Sequence, residues 1–390
     1  MTAAAPPTEA AAPQVAARAD ERAGALLTID LDAIAENYRR LRARLRPGAQ
    51  CAGVVKADGY GCGAIPVAKR LFAEGCRVFF VARTDEGFAL KPHLPEAEVC
   101  VLDGLRDGLV DDYAAAGVVP VLNDPGQVEA WTAYCAANEV RPPVVIHVDT
   151  GMNRLGLSEA DAHALADEED ALRAFSDVLV MSHLVVSEEP ENPINAAQLA
   201  AYRRVRALFP NAKSSLANSS GIFLGHDYHF DLVRPGHALY GGNPTLGKPN
   251  PMRHAVQLLA RVIAVREVDK AGTVGYGATA RIGAGGRIAT IAVGYADGYL
   301  RSLSNRGEAW IGPHRVPIIG RVSMDLVTLD VSSVPPEACQ VGDFAELIGP
   351  HIGVDDVAER AGTNGYEILT GLGPRYHRAY LGQAAPDEVR

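Results

Sequence analysis

The chain is poor in the features that would send it out of the cytosol or into a membrane. No run of about 18 apolar residues occurs in its 390 residues, so no helical membrane span is expected. Residues 1–25 are Ala/Pro-rich and contain no Leu, Ile or Phe, so they lack the apolar stretch of a secretory signal and read as a disordered tail. The six cysteines, at 51, 62, 76, 100, 135 and 339, form no C-x-x-C pair. That scatter suits reduced thiols in a cytoplasmic protein better than a disulfide framework, and it offers no metal site. Charge is not blocked either. A net charge of −10 with mixed signs argues against nucleic acid or an anionic membrane as the main partner.

What is present is enough apolar residue, 48%, to bury a large core, and a length that suits two domains. Short apolar runs alternate with helical patterns up to about residue 240. In the first helix Asp32 is the expected cap, and Ile34, Tyr38, Leu41 and Leu45 follow at helical spacing. The predicted strands are Cys51–Lys56, Val78–Ala82, Val99–Leu102, Val118–Leu122, Pro143–Val148, Val178–His183, Ser214–Ala217 and Leu232–Arg234. Eight such strands with intervening helices suit an α/β fold of the (β/α)8 barrel type. A doubly wound sheet competes, but no G-x-G-x-x-G follows the first strand. Residues 241–251, rich in Gly, Pro and Asn, read as a linker. Beyond it come β-rich runs, from Val256–Val268 to Phe344–Ile348, with a helix near Val354–Ala361 and a final strand. The expected organisation is a tail at 1–25, a barrel at 26–245 and a mostly β C-terminal domain at 246–385.

In such a barrel the active site lies at the C-terminal strand ends, where the polar residues of this chain collect. Lys56 closes the first strand. Burial there disfavours its ammonium form and makes it a base or a Schiff-base nucleophile; a lysine snorkelling to solvent is the plainer alternative. Arg154 follows the fifth strand in Asp149-Thr150-Gly151-Met152-Asn153-Arg154, and His183 ends the sixth. Asn218-Ser219-Ser220-Gly221 follows the seventh strand, and Arg234-Pro235-Gly236 ends the eighth. The Ser219 hydroxyl and the backbone at Gly236 are suitable donors for a phosphate dianion at the usual phosphate position of this fold. A phosphate site there and a lysine on the first strand point to pyridoxal phosphate.

The motifs VVKADGYGCG, HVDTGMNRLG, LANSSG, RPGHALYGG, VGYGATA, GYADGY and RVSMDL occur in this order. Together they resemble the alanine racemase family from about residue 27 to the C-terminus. The resemblance implies a pyridoxal 5'-phosphate enzyme in which Lys56 and Tyr276 are the two bases, Lys56 serving the D-enantiomer. It implies Tyr60, Ser219, Gly236 and His237 at the cofactor phosphate, with Asn218 alongside, and Arg234 at the pyridine nitrogen, buttressed by His183 unless that histidine lies against the ring. It places Arg154 and the Met324 backbone amide on the substrate carboxylate, with Asp325 holding the Met324 loop. Because Tyr276 and Met324 fall in the C-terminal domain, it further implies a homodimer with shared sites and a small neutral amino acid, alanine, as substrate. Racemases of serine or of broad specificity, and a non-catalytic pyridoxal phosphate binder, remain the alternatives.

Three positions depart from the family pattern. His147 stands where a lysine is common, Cys62 where histidine is usual, and Pro374 where a last-strand tyrosine is expected; loss of that tyrosine would widen the pocket.

Overall fold

The computed structural model describes residues 22–382, so residues 1–21 of the predicted tail lie outside the described residues. The chain divides into two compact units: Asp30–Ala255, and Val256–Leu381 joined by the segment up to Ile29.

The first unit is the barrel. Strands β3 (Gly53–Val54), β4 (Val78–Val81), β5 (Glu98–Val101), β6 (Val119–Leu122), β7 (Val144–His147), β8 (Val178–Met181) and β9 (Lys213–Ser215) form a parallel sheet in sequence order. Segments such as Val-Phe-Phe-Val and Val-Val-Ile-His are buried along almost their whole length, as parallel strands covered on both faces require. β10 (Leu232–Val233) then closes the ring. On one side Asp231 N donates to Ser214 O and Arg234 N to Ala217 O. On the other, β2 (Gln50–Cys51) pairs with β10, and Val54 N reaches Pro235 O.

Two details of the sequence reading change here. Lys56 does not end a strand: the run expected over Cys51–Lys56 is split into β2 and β3, and Lys56 opens a tight turn. The first helix, Leu31–Arg42, is capped by Asp30 rather than Asp32; Asp30 Oδ1 accepts from Ala33 N at 2.8 Å, whereas Asp32 pairs with Arg70 at 3.1 Å. Asp30 has the extended backbone that lets a capping side chain turn back onto the helix start, and Asp32 is already helical.

The second unit is a mostly antiparallel sheet built around one long strand, β11 (Val256–Glu267). It pairs with β1 (Ala25–Asp30), β18 (Phe344–Ile348) and β14 (Arg287–Ile291), and its register shifts between Val262 and Ala264 so that one strand serves several neighbours. β1 was not anticipated; it comes from the N-terminal side of the barrel segment and fills the place beside β11. Strands β12 (Gly272–Val274) and β13 (Ala280–Ile282) make a separate hairpin, also unanticipated. A small core of Val268, Val274, Ile282 and Ile288, with Ala280 and Ile319 against it, supports this hairpin. The remaining strands are β15 (Glu308–Ile311), β16 (His314–Pro317), β17 (Val327–Asp330) and β19 (His377–Leu381). Pro374 lies on an exposed turn before β19, not in the last strand, and the buried tyrosine nearby is Tyr376.

Within the barrel unit, buried Asn37 ties the first helix to the segment that follows the barrel. Its Nδ2 donates to Leu239 O and Arg253 O, and its Oδ1 accepts from Arg253 N at 2.7 Å. Asn37→Ala leaves three backbone groups unpaired and should lower unfolding free energy by about 2–3 kcal/mol. The check is a lower urea midpoint at unchanged slope; an unmoved midpoint would contradict this role.

Candidate active site

The turn after β3 sets the position of Lys56. Ala57, Asp58, Gly59 and Tyr60 all have φ between 52° and 61°, a full turn of left-handed backbone. Each non-glycine residue in that conformation costs roughly 1–2 kcal/mol. Offsetting bonds surround it. Gly59 N donates to Val55 O and Gly61 N to Ala57 O, both at 2.9 Å, and Gly63 N to Asp58 O at 2.8 Å. Asp58 Oδ1 accepts from Ala64 N at 2.9 Å, and Glu86 Oε1 from Ala57 N at 2.6 Å. The other Glu86 oxygen accepts from Ala82 N at 2.7 Å, so one carboxylate fastens the turn to the end of β4. The strained turn thus fixes where the lysine leaves the backbone.

Lys56 is half-buried, and its ammonium pKa is lowered, first by burial and then by the Arg154 cation; Glu86 opposes the shift. Arg154 is exposed on the loop after β7, beside Asp149, whose carboxylate accepts from the amides of Gly151, Met152 and Asn153.

Arg234, only 5% exposed, lies at the end of β10. It donates to the Ser215 hydroxyl through Nη1 and to Ser182 O at 2.5 Å through Nη2, and its Nε–H meets no acceptor among the described residues. Burial lowers its pKa to about 10, so it remains a cation at neutral pH. The Ser215 hydroxyl on β9 and the Ser182 carbonyl just past β8 hold the guanidinium; among the described residues no hydrogen bond joins it to His183. His183 is half-buried, and burial with the Arg234 cation lowers its pKa to about 3.

His147 is 6% exposed, and its Nδ1 lies 2.7 Å from Asn123 Oδ1. The Asn123 amide cannot turn, since Nδ2 donates to Leu102 O and Val121 O. The imidazole must therefore carry its proton on Nδ1 and keep Nε2 as an acceptor. Burial and the Arg234 cation lower the pKa of His147 to about 4. The departure at this position thus places a neutral acceptor in the electrostatic neighbourhood of Arg154.

Opposite, the loops after β9 and β10 are stitched by Ser219. Its Oγ accepts from Gly236 N at 3.0 Å and Ala238 N at 3.2 Å. A Cβ on Gly236 would come within 2.2 Å of the Tyr60 oxygen, so only glycine lets that phenol approach the amides. Tyr60 is stacked on Tyr240, with ring centroids 4.7 Å apart, and the Tyr240 hydroxyl donates to Val54 O. His237 is buried against Gly242 on the same turn. Asn218 shapes the loop: its Oδ1 accepts from Gly221 N and from the Ser187 hydroxyl. Cys62 is buried, with its thiol 3.8 Å from Tyr60 O.

Lys56, Tyr60, Arg154, His183, Ser219, Arg234, Gly236 and His237 thus belong to strand-end segments of the barrel unit. Tyr276 and Met324 belong to the other unit. Tyr276 caps the β12–β13 hairpin and is 73% exposed; Met324 is 54% exposed on the loop before β17. Residues that the sequence reading did not single out are Glu86, Asn123 and Ser215. They act through backbone amides or through another side chain, and nothing in their sequence surroundings sets them apart.

Fold and site together define a two-domain barrel protein with a lysine of weakened basicity and a buried arginine at the strand ends. The chain belongs to the alanine racemase family: residues 29–244 match the family's N-terminal domain and residues 255–380 its C-terminal domain. It is 51% identical to the alanine racemase of Rhodospirillum rubrum, covering 93% of this chain and 97% of that one. It is 50% identical to a catabolic alanine racemase of Mesorhizobium japonicum, over 92% and 94%. The crystal structure of alanine racemase from Bartonella henselae with covalently bound pyridoxal phosphate is 40% identical, covers 92% of this chain and all of that one, and superimposes with a TM-score of 0.88.

Both imidazoles have folded pKa values below the unfolded value of about 6.5. The unfolded chain therefore binds more protons below that pH, and stability should fall as pH drops from about 6.5 toward 4. Chemical-shift titration should show His147 and His183 still neutral at about pH 5.5; a midpoint near 6.5 for either would contradict the burial argument.

Proposed function

We propose that this protein interconverts L- and D-alanine, with pyridoxal 5'-phosphate carried on Lys56. The observation that supports it most directly is the arrangement around the barrel's strand ends, within a chain whose both domains match the family. Lys56 has a depressed pKa there, Arg234 offers an Nε–H without an acceptor among the described residues, and Ser219 gathers the amides of Gly236 and Ala238. These groups fit the cofactor: an amine for its aldehyde, a donor for its ring nitrogen, and a hydroxyl with glycine-exposed amides for its phosphate. Tyr60 and His237 complete the phosphate end, Asn218 holds its loop in shape, and His183 lies against the ring as a neutral imidazole.

When bound, the cofactor disperses the electron pair left on Cα by deprotonation. The two products are mirror images, so a base is needed on each face of Cα. Lys56, whose ammonium form burial disfavours, holds or returns the proton on the D-face. Tyr276 does so on the L-face, and its exposure on a hairpin tip suits a residue that reaches another chain. Arg234 cannot give up its proton, so the ring nitrogen stays unprotonated, the electron pair is weakly dispersed, and reprotonation outruns side reactions. Arg154 and the Met324 N–H hold the substrate carboxylate. Tyr276 and Met324 both come from the β unit, and the family resemblance implies a homodimer as the working form, in which each β unit completes the barrel site of the other copy. The six cysteines, all free and buried, favour the reducing cytoplasm. Among the described residues no helix is long and apolar enough to cross a membrane.

Borohydride should fix the cofactor to Lys56, abolishing its visible absorption, and peptide mapping should locate the adduct there. An adduct on any other lysine ends this reading. Mixing inactive Lys56→Ala with inactive Tyr276→Phe should restore about a quarter of wild-type activity after random subunit exchange, since one of the two sites in each mixed dimer keeps both bases. No recovery after confirmed exchange would place both bases on one chain.

A further inference from the structure

The loop that carries Met324 is exposed, yet it is fastened from below. Tyr295 N donates to Ser323 O and Ala296 N to Met324 O, both at 3.0 Å. Gly294 packs so tightly beneath that a Cβ there would fall 2.2 Å from Met324 O. Within the loop, Ser323 N donates to Leu326 O at 3.0 Å, and the Ser323 hydroxyl donates to the same oxygen at 2.7 Å. In a trans peptide the N–H points opposite to the C=O of the same unit. Since Ser323 O faces the 294–296 turn, the Met324 N–H must face away from it, and it meets no acceptor among the described residues. The same reasoning turns the Asp325 N–H outward.

A chain of charges runs beside these backbone bonds. Asp297, only 3% exposed, accepts from Gly294 N through Oδ2 at 2.8 Å and pairs through Oδ1 with Arg375 Nε at 2.8 Å. Arg375 Nη1 in turn reaches Asp325 Oδ1 at 2.8 Å. Arg375 is brought there by its own backbone, because Gly373 N donates to Asp297 O at 2.9 Å. One guanidinium therefore spans from the turn under the loop to the residue immediately after Met324. Its planar fork suits this task in a way that a lysine ammonium does not.

We infer that Arg375 is a positioning residue: by bridging Asp297 and Asp325 it holds the Ser323–Leu326 loop so that the Met324 N–H stays aimed at the substrate carboxylate. The inference rests on the proposed role of that N–H. Asp325, which the sequence reading made the holder of this loop, does so through Arg375 and not alone. Arg375 touches neither substrate nor cofactor, so its loss should weaken capture of the carboxylate and leave the lysine site intact.

The test uses the cofactor-loaded enzyme and three variants. Asp325→Asn weakens only the loop end of the bridge and keeps Arg375 on buried Asp297, which guards against misfolding. Arg375→Ala breaks both ends, and Arg375→Lys should rescue it in part. In the first two, KM for alanine and the inhibition constant of propionate, a carboxylate without the amine, should each rise roughly three- to tenfold. The maximal rate should change less than about twofold, with the visible cofactor absorption unchanged. Amide exchange at Tyr295 and Ala296, whose N–H groups bond to the loop, should accelerate. Unchanged exchange in both variants overturns the bridge. Faster exchange with unaltered propionate binding leaves the bridge standing and overturns the carboxylate role of the Met324 N–H.

Discussion

A guanidinium inside a barrel, answered only by neutral acceptors, is the constraint around which the rest of the site is arranged. Arg234 is buried, and the groups it bonds are a serine hydroxyl and a backbone carbonyl rather than a carboxylate. Desolvating a cation without a counter-ion is costly, so its neighbours must not add positive charge. The two imidazoles near it comply by staying neutral, and its field contributes to both shifts. Lys56 responds to its own burial and to Arg154 in the same sense. The result is a strand-end face that keeps its guanidinium charges beside two neutral imidazoles and a lysine of weakened basicity. The guanidiniums favour anionic groups, a phosphate or a carboxylate, and the same field eases deprotonation of the amine.

Holding that arrangement requires backbone that the barrel alone would not choose. The left-handed turn at Ala57–Tyr60 is unfavourable by itself, and it persists because Glu86, the Asp58 carboxylate and three backbone bonds over-determine it. The same turn directs Tyr60 toward Gly236, where absence of a side chain permits contact. Strain at one segment is thus offset by hydrogen bonds from elements distant in sequence. Function and stability meet in the same few residues, and a change to Glu86 would be felt at Lys56 without touching it.

The β unit follows a different logic. Tyr276 and Met324, the residues proposed to act from it, are exposed, and its core lies beneath them rather than around them. A small cluster of aliphatic residues supports the hairpin that carries Tyr276, and paired backbone bonds with a three-membered charge chain support the Met324 loop. Exposed ion pairs contribute little to stability on their own. Arg375 is different because one end of it answers a buried carboxylate.

Much was legible in the sequence because it is carried by short, contiguous patterns. Buried parallel strands announce themselves as apolar runs, and the helix at Val354–Ala361 and the strand at Phe344–Ile348 occur where the periodicity put them. Lys56, Arg234 and Ser219 were identifiable because strand-end polar residues in a barrel have one natural destination. Other features were decided only by the tertiary structure. β1 reads as part of the barrel segment, yet it pairs with β11, because an open edge there supplies hydrogen bonds that no local pattern encodes. Helix capping passed from Asp32 to Asp30 because only Asp30 has the extended backbone that brings its carboxylate to Ala33 N. The tautomer of His147 depends on Asn123, whose amide is itself fixed by two carbonyls, one of them on the neighbouring strand. A residue's type is written in the chain, but its protonation and aim are set by partners that folding brings from elsewhere.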